Sequence, residues 1–597
     1  MSSESYDVII VGGGTSGLVL ARRLSEDASL KIAVLEAGKD HSLSPEILTP
    51  GTWPLLTNHS TSWPFHTAPQ DIVKRQIAIP QGKALGGSST INSFLFTSTS
   101  KATVDGWEKL GNTGWDFTTY DKALKKAYTL HKQSGSIEGN GPLQLALAEP
   151  EGLWEKAWID GLEALGFPRT DALSGRLGGP TLAPETINPQ TKQRSYAANA
   201  YLDPVRDRPN LTIRTETVVT KILFEKTSPD SNAVATGVQI ASKEGLPEFI
   251  KAHKEVIVSA GSINSPRLLE LSGIGDGHLL RRLGIEIIID NPHVGENLQN
   301  HLFTGLTFEA RDDVDTLDAF FRQEPDAVTT AKQNYGTKGT GPMSTSNMIT
   351  MAQLPLPELC SDEGRLEIQR LTSDAHAVAP NMQAFAAAHK EFVCSILADP
   401  SEACGNYLLG AAFTPFDGAS KDYRAVGKHI SIMVMLSYPL SSGSVHITSA
   451  SPNNASTNEG LTIDPRYLSH PLDLEVLARQ IRFAEDVISR AEPINQYLKP
   501  FTKQFTDLDT AKEYVRRTAD GAHHYTSSCS MMPRALGGVV DSRMRVYGCS
   551  NVRVCDASII PFQPTGNPQA VVYAVAELGQ VSSKPTCRSR RRSSRKA

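Results

Sequence analysis

The start of the chain constrains its fold more than any other stretch. Residues 6–17 read Y-D-V-I-I-V-G-G-G-T-S-G. The run from Val8 to Val11 is β-branched and apolar on both faces, the pattern of a strand buried inside a parallel sheet. Gly12, Gly14 and Gly17 follow in G-x-G-x-x-G spacing, and Leu18 to Leu24 continue with the apolar pattern of a helix. Gly12 permits the tight turn, Gly14 lets the backbone approach a pyrophosphate, and Gly17 lets the helix pack closely on the strand. The pyrophosphate then lies at the positive end of the helix dipole. A second apolar strand, K-I-A-V-L-E-A-G, ends in Glu36, 19 residues past Gly17, where a carboxylate meets an adenosine ribose. Strand, turn, helix and acid together predict a dinucleotide-binding unit. The motif leaves FAD and NAD both open.

A chain of 597 residues exceeds one ordinary core, and 46 Gly with 36 Pro imply many loops. The net charge of −5 is unevenly spread, because Lys584 to Ala597 holds seven Lys or Arg and no acid. The body is therefore acidic, which argues against a nucleic-acid surface. The tail R-S-R-R-R-S-S-R-K-A reads as a solvated, disordered end. Seven cysteines with no C-x-x-C pair argue against a metal site or a disulfide framework. The first apolar run is broken at once by Gly12–Gly14, unlike an export signal, and no run reaches the length of a membrane span. These features predict a cytoplasmic protein that binds neither nucleic acid nor membrane. The sequons at Asn58, Asn210 and Asn454 carry little weight without export.

Four further segments bear on the cofactor. Pro80–Asn92 reads P-Q-G-K-A-L-G-G-S-S-T-I-N, and its Gly86–Gly87–Ser88 stretch can press its backbone against a flat ring. Val256–Gly275 reads V-I-V-S-A-G-S-I-N-S-P-R-L-L-E-L-S-G-I-G: a buried strand, a turn, an expected helix cap at Asn264 or Ser265, and a proline in the first helical turn. The segment before it, Leu211–Leu223, alternates like a strand pair. Val294–His301 reads V-G-E-N-L-Q-N-H. His523 to Leu578 opens H-H-Y-T-S-S-C-S-M-M-P and closes P-T-G-N-P-Q-A-V-V-Y-A-V-A-E.

In content and order, these segments resemble the glucose–methanol–choline (GMC) family of FAD-dependent oxidoreductases, from about residue 5 to 580. Gln81 and Ser93 stand where the family pattern usually has Arg and Gly. The resemblance implies an α/β fold with an α+β cap: a Rossmann-like FAD-binding domain and an antiparallel-sheet substrate-binding cap. It implies FAD contacts from Gly12, Gly14, Thr15, Ser16, Gly17, Glu36, Ala37, Ser88, Asn92, Ser93, Leu95, Val219, Asp556, Ala557 and Gln569. Val219 would hold the adenine through its backbone. Residues 552–560 read as a strand returning to the sheet, with Asp556 and Ala557 at the pyrophosphate or ribityl chain. No histidine occurs in the 85–95 loop, where some relatives attach flavin covalently, so non-covalent FAD is expected.

Oxidising an alcohol requires removal of the hydroxyl proton and transfer of the carbinol hydride to the flavin, and a neutral His suits the first task. Aligning C-S-M-M with the family places His524 at the catalytic position. In an extended strand His523 would point to the opposite face and serve in packing. The partner position, His or Asn in the family, is Asn567, whose amide can orient a substrate oxygen but cannot act as base. His301 reads as structural and Cys529 as a core residue.

The expected domains are 5–310 for the N-terminal part of the FAD domain with lid or cap insertions at 40–160, 311–520 for most of the cap, 521–580 for the C-terminal FAD part, and 581–597 for a basic tail. Lys428–Thr448 reads as two strands around a Ser-Ser-Gly turn, and 312–412 as loops over the pocket. All six Trp fall between Trp53 and Trp158 and read as core rather than as an aromatic substrate wall. The leading expectation is oxidation of a small-molecule alcohol, aromatic or secondary-metabolite, with oxygen or a quinone as electron acceptor. The alternatives are a non-redox cyclase or lyase that keeps FAD, and a non-catalytic FAD-stabilised partner protein.

Overall fold

A computed structural model describes residues 4–583 apart from 58–59, 133, 149–151, 226–230, 242–247, 358–361, 374–382, 417–424 and 452–458. Asn58, Asn454 and the basic tail from Lys584 lie outside the described residues. The fold is α/β, with a Rossmann-like FAD-binding domain and a substrate-binding domain built on an antiparallel sheet.

The first domain is organised by a seven-stranded sheet. Strand β1 (Ser5–Val11) lies at its centre, with β2 (Ile32–Leu35) parallel on one side and Glu248–Val258 parallel on the other. Ile9, Ile10 and all of β2 are buried, because helix α1 (Thr15–Leu24) and further elements cover both faces. Leu211–Arg214 extends the sheet beyond β2, whereas Val219–Glu225 lies at the far edge beyond Val234–Ile240. The two strands read as a pair in 211–223 thus end on opposite edges of one sheet. Val552–Val554 joins parallel to Glu248–Val258. The strand expected over 552–560 stops there, since Asp556 caps a short 3-10 turn at Ala557–Ile559.

The second sheet has six antiparallel strands in the order Asp520–Gly521, Leu302–Glu309, His429–Leu436, Gly405–Gly410, Thr350–Leu354, Gly179–Leu182. Two of these strands, 179–182 and 302–309, come from outside 311–520. One face, with Leu306, Phe308, Ile432 and Val434, belongs to the main core with the helix Pro471–Asp486. On the other face Met351, Leu408 and Met433 stand abreast on three neighbouring strands and pack against Leu95 of the first domain. This contact seats the antiparallel sheet over the loop that carries several expected cofactor residues. The two strands read in 428–448 exist, but Gly443–Ile447 leaves this sheet for a small one with Glu296–Leu298 and Leu461–Asp464. Alternation revealed each strand and not its partner.

That small sheet is fixed to the helix Gly261–Leu271 by an ion cluster. His446 places Nδ1 2.7 Å from Glu270 and Nε2 3.1 Å from Glu296. Although burial opposes it, the two carboxylates hold the His446 pKa up, at about 10. A raised pKa means stability that is fully present below the unfolded value near 6.5 and lost as pH climbs towards about 10. His446→Gln is therefore expected to lower the melting temperature clearly at pH 6 and by a shrinking margin towards pH 10. A constant margin over that range would show that the charge on His446 contributes nothing.

Candidate active site

The Rossmann turn opens onto a cleft that encloses about 1660 Å³ of non-protein space, open solvent included. It runs from Glu36 and Val219, past Gly12, Gly14, Thr15 and Ser16, to His524 and Asn567. Ala37, Ser88, Asn92, Ser93, Leu95, Asp556, Ala557 and Gln569 also line it, so the structure brings together all but one of the expected residues. Gly17 is the exception. It sits behind the turn, where an added Cβ would lie 2.0 Å from the Gly12 carbonyl oxygen, so it serves helix packing alone.

Several features fit a bound dinucleotide. Gly14 has an ordinary backbone conformation, and a Cβ there would meet only the Gly87 Cα, at 3.6 Å. Protein packing therefore does not demand glycine at 14, and the missing side chain leaves room for a ligand. Ser16 Oγ is buried, faces the same turn and has no partner among the described residues, so a phosphate oxygen would satisfy it. The Glu36 carboxylate accepts hydrogen bonds from the Gly13 and Gly38 amides at 2.8 and 2.7 Å, which orients it at the end of β2. Burial raises its pKa to about 7, and each oxygen retains a lone pair for a ribose hydroxyl.

Asp556 lines the cleft, and its side chain is also engaged within the protein. Its carboxylate accepts from the Gly261 amide, Ser265 Oγ, and the amide and hydroxyl of Ser558. This explains why the helix begins at Gly261, with Ala260 as its cap, rather than at 264–265. Its first N–H, that of Gly261, donates to an acid 295 residues away, and Pro266 falls in the second turn. Any contact of this segment with a phosphate falls to its backbone amides, since the carboxylate is engaged and anionic groups repel.

The 88–95 loop is clamped by a residue that the sequence did not single out. Arg194, fully buried, donates from Nη1 to the carbonyls of Ser89 and Asn92 and to Asn92 Oδ1, and its guanidinium lies 3.6 Å from the Phe94 ring centroid. Asn92 in turn donates to Gln569 Oε1, tying the loop to the start of the helix Gln569–Ser583. Trp63 and Phe65, stacked at 5.5 Å, also line the cleft. Trp107, Trp115, Trp154 and Trp158 are core residues, as expected of the group.

At the far end, Asn567 Nδ2 lies 3.2 Å from His524 Nε2, and Asn567 Oδ1 is buried without a partner among the described residues. The His524 backbone is held from both sides: its amide donates to Asn300 Oδ1 at 2.7 Å, and its carbonyl accepts from Gln563 Nε2 at 2.8 Å. The chain is not extended at His523. Its φ of +62° breaks the alternation, and both histidines line the cleft. His301, read as purely structural, places Nδ1 2.9 Å from His524 Nδ1. Burial first, then the nearby His301 and His523, lower the His524 pKa well below 6.5, so the ring is neutral at pH 7. Cys529 is buried, with its thiol pKa raised by burial, as befits a core residue.

A Rossmann-type nucleotide cleft closed by a His–Asn pair under an antiparallel domain defines a dinucleotide-dependent oxidoreductase. The chain belongs to the GMC oxidoreductase family: residues 6–303 match its N-terminal family model and 439–576 its C-terminal one. FAD is its cofactor. It is 32% identical to the GMC oxidoreductase family protein Mala s 12 of Malassezia sympodialis, across 97% of this chain and 92% of that protein. It is also 32% identical to the dehydrogenase mpl7 of Monascus purpureus, across 98% of this chain and 96% of that one. A solved FAD-dependent oxidoreductase from Chaetomium thermophilum superposes with a TM-score of 0.85 at 26% identity, covering 97% of this chain and 98% of the other. Among the described residues no helix is long and apolar enough to cross a membrane.

Proposed function

We propose that the protein oxidises an alcohol, aromatic or secondary-metabolite in character, to a carbonyl, with His524 as the base and Asn567 orienting the substrate oxygen. The observation that carries this reading is the His524–Asn567 pair at the end of the cofactor cleft. His524 Nε2 and Asn567 Nδ2 are 3.2 Å apart. A hydroxyl that displaces this direct contact can donate its proton to Nε2 and accept from Nδ2, so one group activates the oxygen while the other orients it. Bound FAD supplies the acceptor for the carbinol hydride. Gly14 and Ser16 would hold the pyrophosphate, Glu36 the adenosine ribose and Val219 the adenine, while Ser88, Asn92, Ser93 and Leu95 would flank the flavin. FAD is held non-covalently, since the segment from Pro80 to Leu95 offers no His, Cys or Tyr for attachment. Oxygen or a quinone then reoxidises the enzyme. The dehydrogenase relative supports redox use of the flavin over a cyclase or lyase role.

The test is an anaerobic titration of the purified flavoprotein with a panel of primary alcohols, aliphatic and aromatic, read by flavin absorbance. Bleaching by one class of alcohol supports the proposal and narrows the substrate. A flavin that stays oxidised with every alcohol while dithionite still reduces it would transfer weight to the non-redox reading.

A further inference from the structure

The contact between His301 and His524 fixes where the protons of both rings lie. The Pro564 carbonyl oxygen, which can only accept, is 2.8 Å from His301 Nε2, so Nε2 carries the N–H. His301 is fully buried, and burial holds its pKa down at about 4. The ring therefore has one proton, already spent on Pro564, and Nδ1 presents a lone pair. His524 Nδ1 faces that lone pair at 2.9 Å and must be the donor. The rings stand perpendicular with centroids 5.1 Å apart. A neutral His524 with its proton on Nδ1 has a bare Nε2, and the amide on its other side agrees. Asn567 Nδ2 is a donor 3.2 Å from Nε2 and needs an acceptor there.

We propose that His301 is a positioning residue: the chain from the Pro564 carbonyl through His301 holds His524 in its Nδ1–H tautomer, keeping the Nε2 lone pair at the cleft beside Asn567. This rests on the reading of His524 as base and gives that reading its proton inventory. In the opposite tautomer Nε2–H would meet the Asn567 amide donor, and His524 could not take the hydroxyl proton. When the substrate O–H bond breaks and Nε2–H forms, the positive charge on His524 is stabilised by the His301 Nδ1 that already accepts from its other nitrogen. His301 does not line the cleft and both its nitrogens are engaged, so it acts only through His524.

The first test needs neither substrate nor a variant that must work. In full-length flavoprotein labelled with 15N at histidine, two-bond 1H–15N correlations report which ring nitrogen carries hydrogen, and His524→Ala identifies the His524 signals. Hydrogen on Nδ1 of His524 is expected; hydrogen on Nε2 overturns the proposal, even if no His301 variant folds. The second test compares His301→Leu, which has no acceptor, with His301→Asn, whose amide oxygen can stand in for Nδ1. The Leu variant is expected to reduce its flavin with alcohol about 10- to 100-fold more slowly at little change in KM, with much of the rate restored in the Asn variant. A Leu variant at the wild-type rate, or an Asn variant no better than Leu, overturns it. Should His524→Ala keep its rate while the spectrum shows Nδ1–H, the base assignment fails and the tautomer stands.

Discussion

His524→Ala is expected to fold, retain FAD and lose about 10²- to 10⁴-fold in the rate at which alcohol reduces the flavin. Folding should survive because Asn300 and Gln563 hold the backbone of residue 524, not its side chain. Asn567→Ala should lose less, about tenfold, since it removes one orienting hydrogen bond and leaves the base in place. The wild-type pH profile makes the same case from another direction. Burial, with His301 and His523 nearby, depresses the His524 pKa, so the neutral form that accepts a proton persists well below pH 6.5. The acid limb of kcat/KM for flavin reduction should therefore lie well below 6.5, and the rate should hold as pH falls from 7 to 6. Stopped-flow reduction of wild type and both variants measures all of this. A limb at or above 6.5, or an unimpaired His524→Ala, would remove His524 from the role of base.

The parts of this site that sequence made legible are those whose chemistry is local. A buried strand, three glycines and an acid in one βαβ unit fix their mutual geometry through chain connectivity, and Gly12, Gly14 and Glu36 do line one cleft. The parts it hid are contacts between distant segments. His301 and His524 are 223 residues apart, and nothing in V-G-E-N-L-Q-N-H indicates which side chain reaches which strand. Arg194 clamps the 88–95 loop from 102 residues away at Asn92, and only the fold reveals its target. His523 shows a different limit. Side-chain alternation holds only while the backbone stays extended, and a left-handed φ at that position cancels the rule. Alternation in 211–223 marked half-buried strands, and the two strands read in 428–448 exist and are almost wholly buried, but the partners of all four became visible only in the sheet order. Local periodicity specifies an element's faces, and long-range packing specifies its neighbours.

The second and third glycines of the G-x-G-x-x-G motif should fail in different ways. At Gly14 the φ of −81° and ψ of −163° suit any residue, and a Cβ would have 3.6 Å of clearance to Gly87 Cα. Gly14→Ala should therefore cost the flavin-free protein about 1 kcal/mol or less, the loss of a favourable residue at the helix cap. The methyl group would instead occupy the cleft where the pyrophosphate must approach, weakening FAD binding by about 10- to 100-fold, or about 1.4 to 2.8 kcal/mol. At Gly17 the Cβ would lie 2.0 Å from the Gly12 carbonyl oxygen and 3.4 Å from Ile10 Cγ2, so α1 must move off β1. Overpacking of this kind costs about 1–3 kcal/mol, and Gly17→Ala should lower the melting temperature of the flavin-free protein. Thermal unfolding of the stripped variants, followed by titration with FAD, separates the two effects. If Gly14→Ala destabilised the stripped protein as much as Gly17→Ala, glycine at 14 would be a demand of packing, and the case for a pyrophosphate at this turn would lose its main physical support.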